Sequence, residues 1–324
     1  MEDAPLFSEW DKQVFIVVNH VALSTLICLF GFVGNVINIC VFVKQGLGKA
    51  INSSLFAIAI SDILEIVFQI WHNLCLNPYL LELDSDLDLD QIQYLTAGWP
   101  SLVLVRITSW VTVYITAERC LSIALPLKIK QIVTPRRTAA ILAFIFAINV
   151  ASVVPLYFSA YFSWNFYPAR NKTRLGISFR SNQLYIDHLL TLFQASLTII
   201  AFVFVVVFTT VLVAKLKQNS KWRRRTTSSD DRQTGWMSGK ERRTVAMAIA
   251  VAVVLIVCLT PDVIFTLMTS SDPSFGITGK ETNVFQAAWS FAFLLHSVNS
   301  SITILLYYKT STRYRQTFQE MFPR

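Results

Sequence analysis

The chain has 324 residues, of which 54 % are apolar and only 15 % charged, with a mean hydropathy of +0.50. Soluble domains carry roughly 25 % charged residues, so this balance argues against a soluble enzyme and points to lipid as the solvent of much of the chain. The net charge of +8, from 28 Lys and Arg against 20 Asp and Glu, is expected to gather on one face of a membrane.

A helix needs about 20 apolar residues to cross the hydrocarbon core. Residues 1–12 read as an extracellular tail. They are acidic, and the apolar run behind them is too long for a secretory signal, so it reads as an anchor that stays. In chain order the expected spans are 13–43, 51–76, 97–121, 138–162, 188–216, 241–269 and 282–308. The second contains Asp62 and Glu65, the third Arg106, Glu118 and Arg119, and the sixth Pro261 and Asp262. Residues 309–324 read as a short amphipathic eighth helix and a cytoplasmic tail. The expected class is an all-α membrane protein, a seven-transmembrane helix bundle. The five cysteines (Cys28, Cys40, Cys75, Cys120, Cys258) lie in or at the ends of apolar runs, which argues against a disulfide scaffold.

Twenty of the 28 Lys and Arg follow spans 1, 3, 5 and 7, six lie on the other side and two within spans. The positive-inside rule then puts the odd loops in the cytoplasm and the N-terminus outside. The sequon Asn171-Lys172-Thr173 falls in the second outer loop, as an acceptor for glycosylation should. A second match at Asn52 falls on the cytoplasmic side.

An ionisable group inside a span costs at least about 2.5–3.5 kcal/mol on insertion scales and persists with a partner, a wet cavity or a function. Six such groups occur: Asp62, Glu65, Arg106, Glu118, Arg119 and Asp262. Taken alone, Glu118-Arg119 is also readable as an interfacial pair snorkelling to the headgroups.

Glu118-Arg119-Cys120 at the end of span 3, followed by Pro126-Leu127-Lys128, resembles the Asp/Glu-Arg-Tyr region of rhodopsin-like G-protein-coupled receptors. Further marks stand in order. They are Gly34-Asn35 in span 1, Ala59-Ile60-Ser61-Asp62 in span 2, Cys258-Leu259-Thr260-Pro261 in span 6 and Asn299-Ser300 with Tyr307 in span 7. Tyr314 and Phe318 follow as in the family's short eighth helix. The stretch ITAERCLSIALPLKIKQIVTPRRT, ending at Thr138, looks most like receptors of gastropod chemosensory or neuropeptide type. The chain departs from the family pattern at Thr303-Ile304 in place of Asn-Pro and at Leu259 in place of a switch tryptophan. Span 5 lacks Pro and Tyr, and the span 4 tryptophan is absent. Tyr94 stands in place of the outer cysteine of span 3, so the usual disulfide has no partner.

The resemblance implies a receptor that passes the binding of an extracellular peptide or small chemosensory molecule to a heterotrimeric G protein. It implies roles residue by residue. Arg119 would be the G-protein-coupling arginine, with Glu118 and Glu241 locking the inactive state. Pro261, Leu259 and Tyr307 would form the activation switch. Asp62, Thr108, Asn299, Ser300 and Thr303 would form a site for an allosteric sodium ion or, as readily, a water-bridged polar cluster. Glu65, Trp71, His72, Ser101, Arg106, Asp262 and His296 would line or border a ligand cavity. Arg106 and Asp262 either pair across the bundle or one holds a ligand charge. Ser101 in place of an amine-binding aspartate argues against an aminergic ligand.

The acids Glu82, Asp84, Asp86, Asp88 and Asp90 form an outer loop that is either simply solvated or attracts a basic peptide. The run from Lys221 to Ser229 suits anionic lipid, G protein or kinases, with arrestin a further partner implied by the family. No cofactor, hydrolase, zinc, nucleotide or nucleic-acid signature is present, and no enzyme activity is expected. The rival reading is a seven-span transporter or channel. It would show repeats or paired broken helices, whereas the chain shows no repeat and a single break at Pro261.

Overall fold

The computed structural model describes residues 7–82, 86–125, 127–168, 171–180, 183–225, 239–272, 274–276 and 279–323. Seven helices are long and apolar enough to cross a membrane. They are α1 (Glu9–Gln45), α2 (Ala50–Cys75), α3 (Leu89–Ala124), α4 (Pro135–Ser159), α5 (Gln183–Arg225), α6 (Gly239–Ser271) and α7 (Thr282–Thr310), followed by α8 (Thr312–Met321). Local signals set several ends. Ser8 and Asp11 close a capping box at α1, Thr134 caps α4 ahead of Pro135, and Ser311 caps α8. Gly46, at φ 81°, supplies the left-handed residue that ends α1.

The helices extend beyond the apolar runs that announced them. α1 begins at Glu9, inside the stretch read as a tail, and α3 begins at Leu89 through a π-helical turn at Tyr94–Gly98. The span expected at 138–162 ends sooner. α4 is interrupted after Ala151 and closes at Ser159, and the chain then turns into strand β1 (Ala160–Tyr167). β1 pairs antiparallel with β2 (Lys172–Phe179), in a register running from Ala160 opposite Phe179 to Tyr167 opposite Lys172. The sequence reading missed this hairpin. The expected span took in Ala160 to Phe162, the start of β1, because apolar content alone does not separate helix from strand.

Part of the acidic loop lies against this hairpin. The Leu175 N–H donates to Asp86 O at 2.7 Å, Asp88 N–H donates to Leu175 O at 2.9 Å, and Lys172 Nζ meets Asp86 Oδ1 at 3.1 Å. The acid–leucine alternation thus contains a short strand-like segment. Asp84 lies outside the described residues, as do Pro126, Ser228 and Ser229. Asn171 of the sequon occupies the hairpin turn, exposed and at φ 47°.

α3 is the most enclosed span, while α4 and α5 show most of their surface outward. Phe144 and Phe158 on α4 are 66 % and 70 % exposed, the pattern of side chains that meet lipid. Helix–helix contacts depend on small residues, as expected where lipid leaves no hydrophobic drive between spans. A Cβ on Gly31 of α1 would stand 2.6 Å from Ser301 Cβ of α7 and 2.9 Å from Ile66 Cδ1 of α2. All five cysteines are free thiols.

Gly31→Ala is expected to wedge α1 from α7 and lower the thermal midpoint of the detergent-solubilised protein, by about 1–3 kcal/mol in stability. Gly48→Ala, where a Cβ would meet nothing within 4 Å, serves as the control and should leave the midpoint in place. A gentle reductant should leave it in place as well.

Candidate functional site

The bundle has two ends, one bearing the hairpin and the other α8. Toward the hairpin end, α3, α5, α6 and α7 enclose a cavity of about 120 Å³. Helical spacing selects its walls. Leu102, Val105, Arg106 and Ser109 share one face of α3, and Leu259, Asp262 and Thr266 share one face of α6. Trp99, Gln194 and Trp289 complete the lining used below.

Arg106 is buried and gripped from α4. Its Nε donates to Asn149 Oδ1 at 2.8 Å and its Nη2 to Ser152 Oγ at 3.1 Å. Gln194 of α5 adds a further tie, donating from Nε2 to Ser152 O at 2.8 Å. Asn149 in turn donates to Ile145 O at 2.8 Å. The expected direct pair of Arg106 with Asp262 is not formed. The described ion pairs contain no contact between them, and α4 takes the guanidinium instead. Asp262 Oδ2 stands 3.8 Å from His296 Nε2, beyond a normal hydrogen bond. Sequence reasoning missed Asn149, Ser152 and Gln194. The available signal was Asn149 and Ser152 at i, i+3 in an otherwise apolar span, where polar side chains commonly join helices.

Of the residues assigned to the ligand cavity, Arg106 and Asp262 line it, joined by Leu259 from the switch set. Glu65, His72, Ser101 and His296 do not. They belong to a buried polar layer among α1, α2, α3 and α7. Ser101 Oγ lies 3.4 Å from both Glu65 Oε1 and Gln69 Oε1. The His72 ring meets His20 edge-on at 5.1 Å and lies tilted against Phe293 at 4.6 Å. Asn73 joins His20, Ser24 and Gln69. Trp71 faces outward and donates from Nε1 to Thr96 Oγ1 at 2.8 Å.

Below this layer, Thr108 Oγ1 is 3.1 Å from Asp62 Oδ1 and 2.7 Å from Ser61 Oγ. Asp62 Oδ2 and Glu65 Oε2 are buried without a partner, and Ser300 of α7 is buried as well. Orphaned carboxylate oxygens beside hydroxyls make an all-oxygen donor set of the kind a hard cation takes. Asn299 is buried next to Ser300 on α7. Thr303 is placed elsewhere. Its Oγ1 lies 3.2 Å from both Asn38 Nδ2 and Asn35 Oδ1, on the asparagine ladder of α1.

That ladder also explains a break in α7. Asn35 Nδ2 donates to the Ser300 carbonyl at 2.7 Å, and the helix is interrupted at Ile302, with no proline there. Tyr314 of α8 extends the ladder by donating to Asn38 Oδ1 at 2.6 Å, and burial pushes its phenol up from the ordinary tyrosine range. Tyr307 is fully buried against Phe42 and Tyr314, its hydroxyl without a partner. Pro261 sits inside α6, one residue before Asp262, and removes a backbone donor there.

At the α8 end, Arg119 forms an ion pair with Glu118. Glu118 Oε2 and Arg119 Nε remain without partners. Glu241 lies exposed at the start of α6. A second cavity, of about 650 Å³, opens among α1, α2, α6 and α8, with Lys49, Arg243 and Arg313 and no acidic side chain among its described lining residues.

The contacts of Arg106 are directly testable. A double-mutant cycle of Arg106→Gln with Asn149→Ala, read from thermal stability, should show a coupling of about 1–3 kcal/mol. The cycle of Arg106→Gln with Asp262→Asn should show a smaller one.

Residues 22–324 match the family model described as serpentine type 7TM GPCR chemoreceptor Srw. No curated protein matches the chain. The match runs from within α1 through α8, so seven membrane-crossing helices and a receptor family coincide over almost the whole sequence. The chain is a multi-pass membrane protein and belongs to the serpentine type 7TM GPCR chemoreceptor family Srw.

Proposed function

We propose that the protein is a plasma-membrane receptor that binds an extracellular chemosensory ligand in the cavity at the hairpin end and activates a heterotrimeric G protein at the α8 end. The observation that carries this reading is the placement of Asp262 on the cavity wall, directly after Pro261 of α6. A ligand touching Asp262 acts beside a break in the helix ladder, where a small displacement becomes a swing of the far end. It shifts the equilibrium only by its differential affinity for the two arrangements.

The N-terminus and the hairpin with Asn171 are taken as extracellular, from the distribution of Lys and Arg. The rhodopsin-like roles follow on this reading. Arg119 engages the G protein, Glu118 and Glu241 hold it back, and Tyr307 and Leu259 relay the change. The basic cavity of Lys49, Arg243 and Arg313 suits an acidic or C-terminal carboxylate element of the G protein. A sodium ion on Asp62 and Glu65, with Thr108 and Ser300, would hold the resting arrangement. A cavity of about 120 Å³ favours a small molecule over a peptide, which would bury at most a single residue there.

Arg119→Ala should abolish nucleotide exchange on a reconstituted G protein at unchanged surface expression. Glu241→Ala should raise basal exchange. Ligand-driven solute flux without any exchange would establish the transporter reading in its place.

A further inference from the structure

Arg106 and Asp262 are both buried, at 4 % and 5 % exposure, and both line the cavity at the hairpin end. They form no described ion pair. Two opposite charges inside an apolar bundle ordinarily close on each other, because each alone is strongly disfavoured there. Here the closure is prevented. Asn149 and Ser152 hold Nε and Nη2 toward α4, and Nη1 is not among the donors of the described hydrogen bonds. Asp262 has only His296 at 3.8 Å as its described ionic neighbour. The cavity thus keeps one positive and one negative side chain apart, with space between them.

We propose that this cavity takes a small zwitterion of the amino-acid class, its carboxylate on the Arg106 guanidinium and its ammonium on the Asp262 carboxylate. The inference rests on the receptor reading above and names the ligand class of the same site. A simple amine would satisfy Asp262 and leave Arg106 facing an apolar tail. A simple carboxylic acid would do the reverse. A molecule carrying both groups satisfies both, and desolvated charge-assisted contacts discriminate strongly against a ligand that lacks one of them. The remaining walls mix apolar groups (Leu102, Val105, Leu259) with hydroxyls (Ser109, Thr198, Thr266) and leave room for a small side chain of either character. The volume of about 120 Å³ limits the occupant to one small molecule. Such a ligand bridges α3 to α6 one residue past Pro261, which links occupancy to the backbone hydrogen bond that α6 lacks there.

The experiment uses the full chain in lipid nanodiscs, without G protein, and reads thermal-midpoint shifts as binding. The probes are the standard L-amino acids, β-alanine and γ-aminobutyrate at millimolar concentration, each beside its decarboxylated amine and its deaminated acid. At least one amino acid should raise the midpoint while its amine and acid bind roughly tenfold to hundredfold more weakly. Arg106→Gln should weaken that amino acid to the level of its amine and leave the amine unaffected. Asp262→Asn should weaken it to the level of its acid and leave the acid unaffected. Arg106→Lys, which keeps the charge, should retain part of the binding, and gel filtration confirms that each variant is folded. No shift from any zwitterion, or equal shifts from an amino acid and its amine, overturns the proposal. Basal nucleotide exchange on a G protein is measured on the same nanodiscs. Exchange without zwitterion binding sinks the ligand class alone, whereas zwitterion binding without exchange sinks the coupling reading alone.

Discussion

The grip of α4 on Arg106 is the constraint on which the hairpin end of the molecule rests. A guanidinium in the middle of an apolar bundle must be hydrogen-bonded, and Asn149 and Ser152 supply two acceptors from one turn of a neighbouring helix. This fixes α3 against α4, and Gln194 ties α5 to the same point. It also keeps the charge from collapsing onto Asp262. The cavity exists because one strong electrostatic contact is forgone in favour of two oriented hydrogen bonds.

A similar exchange of one device for another occurs in α7. The Asn-Pro that breaks this helix in rhodopsin-like receptors is Thr303-Ile304 here, yet the helix is interrupted at Ile302. The carbonyl of Ser300 accepts from Asn35, a side chain of α1, instead of relying on a proline to remove a donor. Asn38, Thr303 and Tyr314 continue the same ladder toward α8. Close approach of α1 to α7 is a precondition, and Gly31 and Gly34 provide it by leaving no Cβ in the way. The small residues, the asparagines and the helix break form one construction. Removal of the proline therefore need not remove the joint.

Between these two regions lies a buried polar layer that neither packs as plain core nor lines the cavity. His20, His72, Gln69, Asn73, Glu65 and Ser101 are all nearly inaccessible. Several of their atoms, with those of Asp62 and His296, lack a partner. Unsatisfied polar atoms in a low-dielectric interior are a cost that a purely structural core avoids. The layer lies beside the cavity, with Ser101 five residues nearer the hairpin end of α3 than Arg106.

The sequence by itself determined the number of spans, the class of the protein and the identity of its intramembrane charges. Long uncharged runs have only one stable solution in lipid, and an isolated Arg106 or Asp262 stands out against them. The apolar runs did not fix the helix ends: Ser8, Thr134, Ser311 and Gly46 set them in the structure, whereas the runs place the start of α1 four residues too late. What only the tertiary structure decided is who meets whom. Arg106 chose α4 over Asp262, and Thr303 chose α1 over Asp62. Glu65, His72 and His296 fell into a layer beside the cavity, and an aromatic stretch read as helix paired into a hairpin against Leu87. Each of these outcomes depends on the rotation of a helix about its axis, or on the pairing of distant segments. Helical periodicity shows that residues share a face but not which neighbour that face will find. That choice is made when all the helices compete at once for a limited set of hydrogen-bond partners.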